Sequence, residues 1–457
     1  QSFEANTVIT GNLTVDAGTA QTNNAAWTWD ITGDVVVNSG GTLGAASRSA
    51  DYSFGSLTIN SGGTYSATNG TTTITDENPS GYAFVNDGTF THNSGTVTIT
   101  TDANTYLDLT GSGNVYNLIT NRSGRAYDWT IAATIDNDLT VTAGTLRASG
   151  VGDNLIVTGD VDITGILSDN ARGVVMTFGS LTINSGGTYS ATSGTTTITS
   201  EADSGYGWDN DGTFTANSGT VNFTYGTGTL LDAVGTSGTF YNLIFSGTST
   251  TLMTDLDVEG NLTENSVGAL ITNANNKYIN VTENVVIGGQ IGDATETADW
   301  TFGSLTINSG GVYSATSGIT EINNTALNTY ALNNDGTLTA NGGTINITSQ
   351  TASQYYLDIA TGSGNPYNFV VDIGGGNSLK WIFDGGVIDG NLTVQSGTFN
   401  SNADLYDLTV TGDTVVSGTL SNGGSDAMTF GSLAIKSGGT YSATSGTTTI
   451  NSEDGSN

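Results

Sequence analysis

Few residues in the chain could carry chemistry. There is one histidine, His92, and one stretch of alternating carboxylates, Asp255-Leu256-Asp257-Val258-Glu259. General acid–base catalysis needs a titratable group held beside its target, and a hard cation needs several oxygens converging on one point. Period-two alternation puts Asp255, Asp257 and Glu259 on one face of a strand, so these three are candidate ligands for a divalent cation such as calcium. Their spacing fits neither an EF-hand nor the glycine-aspartate nonapeptide repeat. Alanines stand at the positions equivalent to His92, Ala216 and Ala340. His92 therefore reads as an exposed side chain that the repeat does not require. Asp87, Asp211 and Asp335 recur in Asn-Asp-Gly, which is a turn signal. No catalytic residue and no required cofactor follow from these patterns, and the expectation is a protein that is not an enzyme.

Three other residue classes are arranged regularly. Thr71, Thr73 and Thr75 share one strand face, as do Thr195, Thr197 and Thr199, and Thr447 and Thr449. Such rows resemble an ice-binding array, but Ile319, Glu321 and Asn323 break the third copy, and Thr96, Thr98 and Thr100 extend the first by one coil only. Tyr65, Tyr189, Tyr313 and Tyr441 hold one repeat position and Tyr116, Tyr241 and Tyr367 another; both sets are expected as core or corner packing. Trp27, Trp29, Trp129, Trp208, Trp300 and Trp381 form no single ladder. Asn-x-Ser/Thr sequons begin at Asn12, Asn69, Asn121, Asn222, Asn261, Asn280, Asn323, Asn346 and Asn391. They mark candidate N-glycosylation sites, in a chain so rich in Ser and Thr that chance alone supplies many.

The elements that position these residues come from a four-fold echo. Near-identical segments start at Phe54, Phe178, Phe302 and Phe430. Around them, long repeats run 1–124, 125–248, 249–376 and 377–457, the last incomplete. Landmarks such as Asn12-Leu13-Thr14, Asp138-Leu139-Thr140, Asn261-Leu262-Thr263 and Asn391-Leu392-Thr393 fix their register. Inside each lies a shorter beat: an alternating strand such as Leu57-Thr58-Ile59, a corner such as Gly62-Gly63 that permits positive φ, then a second strand. Coils of roughly 20 residues, about eighteen in all, describe one continuous all-β, single-stranded parallel β-solenoid over 1–457. At ~4.8 Å per coil it would be roughly 85 Å long, and right-handed winding is expected from the crossover rule.

Composition narrows the function. The chain has 8 basic and 42 acidic residues, a formal net charge of -34, with Gly 65, Pro 2 and Cys 0. Nucleic acid needs clustered Lys and Arg, so it is excluded as a partner. Anionic membranes are disfavoured for the same reason, and without a run of ~18 apolar residues no membrane insertion is expected. Without cysteine, stability does not rest on disulfides. The chain opens at Gln1 with no leader pattern, as expected of a processed chain or a piece of a longer one.

The phrases GSLTINSGGTYSATSGTTTIT, NDGTFTANSGTV and FYNLIFSG resemble the β-solenoid, or parallel β-helix, repeat arrays of large secreted microbial surface proteins and adhesins. The resemblance covers the whole chain and implies an extracellular or cell-surface place and a structural or adhesive role. Solenoid edges left without a cap favour pairing with a neighbour. The expectation is thus a protomer of an extracellular filament or surface fibre, its copies joined head to tail. Candidate interface residues are Phe3, Val8 and Ile9 at one end and Leu433, Ile435, Tyr441, Thr447, Thr449 and Ile450 at the other. The alternatives are the stalk or glycan-binding region of an adhesin and, third, a β-helix enzyme acting on polysaccharides.

Overall fold

Alternation along each strand drives the architecture. In the strand Tyr52–Ile59, Leu57 and Ile59 are buried and Thr58 is partly exposed. Gly62 then turns the chain with φ 81°, a conformation costly for residues that carry Cβ. The next strand, Thr64–Ser66, buries only Tyr65. The computed structural model describes residues 1–451 except 45–47, 131, 226–227, 236, 248, 266–267, 272–275, 324–329, 349–353, 383–384, 402–405, 423 and 444. Among the described residues there is no helix, and therefore none long and apolar enough to cross a membrane.

The chain is an all-β solenoid of about 19 turns, with equivalent residues ~22 apart and strands paired in parallel. Its contacts divide into two units. The first comprises 1–223 with 234–238, and the second 224–233 with 239–457. In the first unit a turn has three sides. Tyr52–Ile59 supplies two of them: Tyr52 and Phe54 pair onward with Thr72 and Ile74, while Leu57 and Ile59 pair with Phe84 and Asn86. The third side is Thr64–Ser66, paired with Gly41–Gly44 and Thr89–Thr91. The second unit repeats this plan: Trp300–Ile307 supplies two sides, and Val312–Ser314 lies between Gln290–Ile291 and Thr337–Thr339.

Inside the turns, aromatic rings meet in a repeated geometry. Phe54 meets Tyr65 edge-on at 5.9 Å, Phe178 meets Tyr189 at 5.9 Å, and Phe302 meets Tyr313 at 6.1 Å. Edge-to-face contacts of this kind add to the area that the rings bury. Trp29, Trp129, Trp208, Trp300 and Trp381 are also interior. Three of them donate Nε1–H to a carbonyl one turn away: Trp129 to Asp153 and Trp381 to Tyr406 on the following turn, and Trp300 to Lys277 on the preceding one.

Candidate functional site

Polar side chains form ladders that tie each turn to the next. At one corner of the first unit, the Asn12 Oδ1 accepts the Asp34 N–H (2.9 Å), and the Asp34 carboxylate accepts the Ser56 hydroxyl (2.8 Å). The motif recurs as Asn117, Asp138, Asp160 and Ser180. In the second unit it recurs as Asn242, Asn261, Asn284 and Ser304, and as Asn368, Asn391, Asp413 and Ser432. Each run ends on the buried Ser of a Phe-Gly-Ser-Leu or Phe-Gly-Ser-Leu-Ala echo, which explains why serine recurs there. The alternative, a buried hydroxyl with no partner, would cost stability.

One rung carries excess charge. Asp162 faces outward and is exposed, and partial desolvation, with Asp160 and Asp138 nearby, pushes its carboxyl above its ordinary range. A raised carboxyl opposes folding when ionised, and the penalty disappears as pH falls through the raised value and then below the unfolded one. Asp162→Asn is therefore expected to raise the thermal midpoint at neutral pH, with the difference vanishing in acid below about pH 4. Melting curves at both pH values check this.

The shared tyrosine position is interior, as its spacing suggests. Tyr65, Tyr189 and Tyr313 are fully buried, and burial pushes their phenols up. Each hydroxyl meets a buried threonine seven residues on: Thr72 at 2.8 Å, Thr196 at 2.6 Å and Thr320 at 2.6 Å. Tyr441 and Thr448 keep the pair at 2.7 Å. Thr320→Val should cost roughly 1–3 kcal/mol, because it strands a buried phenol, and adding Tyr313→Phe should recover most of the loss. A double-mutant cycle of chemical denaturation reads the coupling.

Of the core or corner positions expected, the second tyrosine set takes the corner. Tyr241 and Tyr367 are 36% and 45% exposed, and Tyr116 is half-buried. They precede the corner asparagines, so alternation turns their rings outward. His92 is corrected: it is not a free exposed side chain. Its ring stacks on Tyr116 (5.0 Å, 18°), its Nδ1 accepts the Ser94 N–H at 2.8 Å, and its Nε2 lies 3.5 Å from Asp136.

Among the carboxylates, Asp255 accepts the Tyr278 N–H at 3.1 Å. Asp257 accepts the Tyr278 hydroxyl at 3.2 Å and the Asn280 amide at 2.9 Å. Glu259 is exposed beyond the end of the strand Leu256–Val258. Among the described residues no group of three His, Cys, Asp or Glu side chains is arranged to hold a metal. Asp87, Asp211 and Asp335 are exposed at their turns, but the preceding asparagines are interior. Asn86, Asn210 and Asn334 donate to the carbonyls of Ser112, Ser237 and Ser363, a role that the turn motif does not announce.

In the first copy Thr71 pairs with Thr96 and Thr73 with Thr98, giving way to Asn117 and Ile119 on the next turn, and Thr449 pairs with Thr429, which pairs with Thr409. Of the sequon asparagines, Asn12, Asn69, Asn121, Asn261, Asn280 and Asn391 are exposed, and Asn222, Asn323 and Asn346 are partly buried. The sequon at Asn323 continues into residues outside the described set.

The proposed interface residues fall into two groups. Ile435 and Ile450 are 51% and 54% exposed, and Leu433 and Tyr441 are half-buried. Thr448 and Ile450 occupy the inward phase of their strand, as Thr72 and Ile74 do, which leaves Thr447 and Thr449 on the outer face. At the other end Phe3 packs edge-on against Trp29 at 5.5 Å, and Ile9 pairs with the interior Ile31. Val8, 67% exposed, pairs with Asp30 on the outer face. Compared with known proteins, the chain matches no family model, no curated protein and no solved structure.

Proposed function

We propose that the chain is a structural protomer of an extracellular filament or surface fibre, its copies joined through solenoid turns. The observation that carries this reading is an internal comparison. Leu57, Ile59, Tyr65 and Ile74 are each buried to the last per cent, as are Leu181, Ile183, Tyr189 and Ile198, and Leu305, Ile307, Tyr313 and Ile322. In the fourth copy the equivalent residues, Leu433, Ile435, Tyr441 and Ile450, are half-buried or exposed. Identical residue types in identical places suit the same cover, a further parallel turn, which the chain's own continuation or a second copy would equally supply. A second copy offers one on the same side of the coil: Ile9 heads the column that continues through Ile31, Phe54 and Ile74. Stacking Ile9 of a second copy over Ile450 extends that column, and a contact of this head-to-tail kind does not close on itself. The charge of -34 suits a fibre that repels its neighbours sideways. Extracellular placement rests on the resemblance to secreted arrays.

Electron microscopy of the purified chain over a range of concentrations tests the reading. Filaments that lengthen with concentration support it, and single short particles at every concentration overturn it. A second reading, the stalk or glycan-binding region of an adhesin, is favoured by the outward rings of Tyr241 and Tyr367.

A further inference from the structure

Three of the eight basic residues, Arg122, Arg125 and Arg147, stand on neighbouring turns of the first unit. The strand Asn117–Thr130 carries five consecutive exposed residues, 121–125, where its register with Leu139–Ala148 breaks. These five form a lip beside an open groove of about 650 Å³. The groove is lined by Thr142, Thr145, Thr164 and Thr188, by Asn104 and by Arg125 and Arg147. Its floor is backbone. A Cβ at Gly144 would lie 2.4 Å from the Arg122 carbonyl oxygen, and one at Gly165 would lie 2.7 Å from that of Gly144.

The charges are not equivalent. Arg122 pairs with Asp102, and the Arg147 Nε lies 2.5 Å from Asp128. Arg125 meets no carboxylate within ion-pair distance among the described residues. An exposed guanidinium is a planar fork that matches a carboxylate. Around it, threonine hydroxyls, an amide and backbone carbonyls offer both donors and acceptors, which is what a polyhydroxylated ligand needs. Ile166 is the one large apolar residue in the lining, too little for an apolar peptide anchor. The equivalent stretches of the other long repeats, Ser246-Gly247 and Gly374-Gly375-Gly376, carry no arginine.

We propose that this groove binds an acidic glycan, with a uronate carboxylate on Arg125 and sugar hydroxyls on the threonines. The site spans the junction of the first two long repeats and does not depend on how copies of the chain join.

Calorimetric titration of the whole chain with polyuronate trimers, against neutral glucan trimers, tests it. The expected result is saturable uronate binding that weakens at least 10-fold in Arg125→Gln, less in Arg125→Lys, and not at all in Arg172→Gln. The neutral trimer should bind at least 10-fold more weakly than the uronate. Arg125 is exposed, so the variant should keep the circular dichroism of the unchanged chain. No uronate binding, equal binding of neutral trimers, or unchanged binding in Arg125→Gln would overturn the proposal.

Discussion

A chain carrying Ile435→Glu and Ile450→Glu is expected to fold normally and to associate at least ~100-fold more weakly than the unchanged chain. Both side chains are already about half exposed, so an acidic replacement removes little of the packing within one copy. In a filament each would lose its remaining exposure. Covering half an isoleucine is worth about 1 kcal/mol, and placing a carboxylate in the same joint adds a desolvation cost. Together these reach roughly 3 kcal/mol, or about 100-fold in the association constant. Thr447→Glu, in the outward phase just before the same strand, should leave association almost unchanged. Sedimentation velocity with melting curves separates loss of assembly from loss of fold. Equal association by the double variant and the unchanged chain would sink the interface.

Gly364→Ala is expected to be the most damaging small substitution in the second unit. Gly364 has φ 79°, and a Cβ there would stand 1.8 Å from the Leu338 carbonyl oxygen. Left-handed backbone costs alanine about 1 kcal/mol. The clash cannot be relieved by a rotamer, because the obstructing atom is backbone. Moving it disturbs the Leu338 N–H to Ser363 carbonyl bond (2.8 Å) and the Asn334 amide bond to the same carbonyl (3.2 Å). A total of roughly 3 kcal/mol follows, equivalent to a fall of about 6–12 °C in the midpoint of a unit this size. Gly113 in the first unit has the same geometry, with φ 85° and the Phe90 carbonyl oxygen 1.9 Å from a Cβ. Gly375 is the control: no atom lies within 4 Å of its Cβ position, so Gly375→Ala should be close to neutral. Comparable losses from Gly364→Ala and Gly375→Ala would refute the steric argument.

The repeat made much of this architecture legible before any coordinates. Leu57-Thr58-Ile59 shows its phase directly, and Gly62-Gly63 marks its corner, because apolarity and glycine each point to one structural role. Inward polar residues hide for the opposite reason. Thr72 is written like its neighbours Thr71 and Thr73, and only the phase set by Ile74 shows that it faces Tyr65. Asn86 was masked by a turn motif that explains its sequence equally well. Tyr116, Tyr241 and Tyr367 read equally as core or corner, because aromatic character suggests burial while the corner geometry turns them outward. By number alone the arginines of the groove say only that they are too few for nucleic acid. Their crowding into 122–147 is the available signal, and the exposed lip that carries Arg125 is not.

The side-chain ladders have a mechanical consequence. In a parallel solenoid the backbone hydrogen bonds between turns run along the stacking direction, so tension applied that way opens one turn at a time. A turn of ~22 residues occupies ~4.8 Å when stacked and reaches roughly 75 Å when drawn out. Each rung of Asn, Asp and Ser adds a bond that must break before its turn is released. A unit built this way would yield in steps, lengthening about fifteen-fold per released turn while the remaining turns keep their packing.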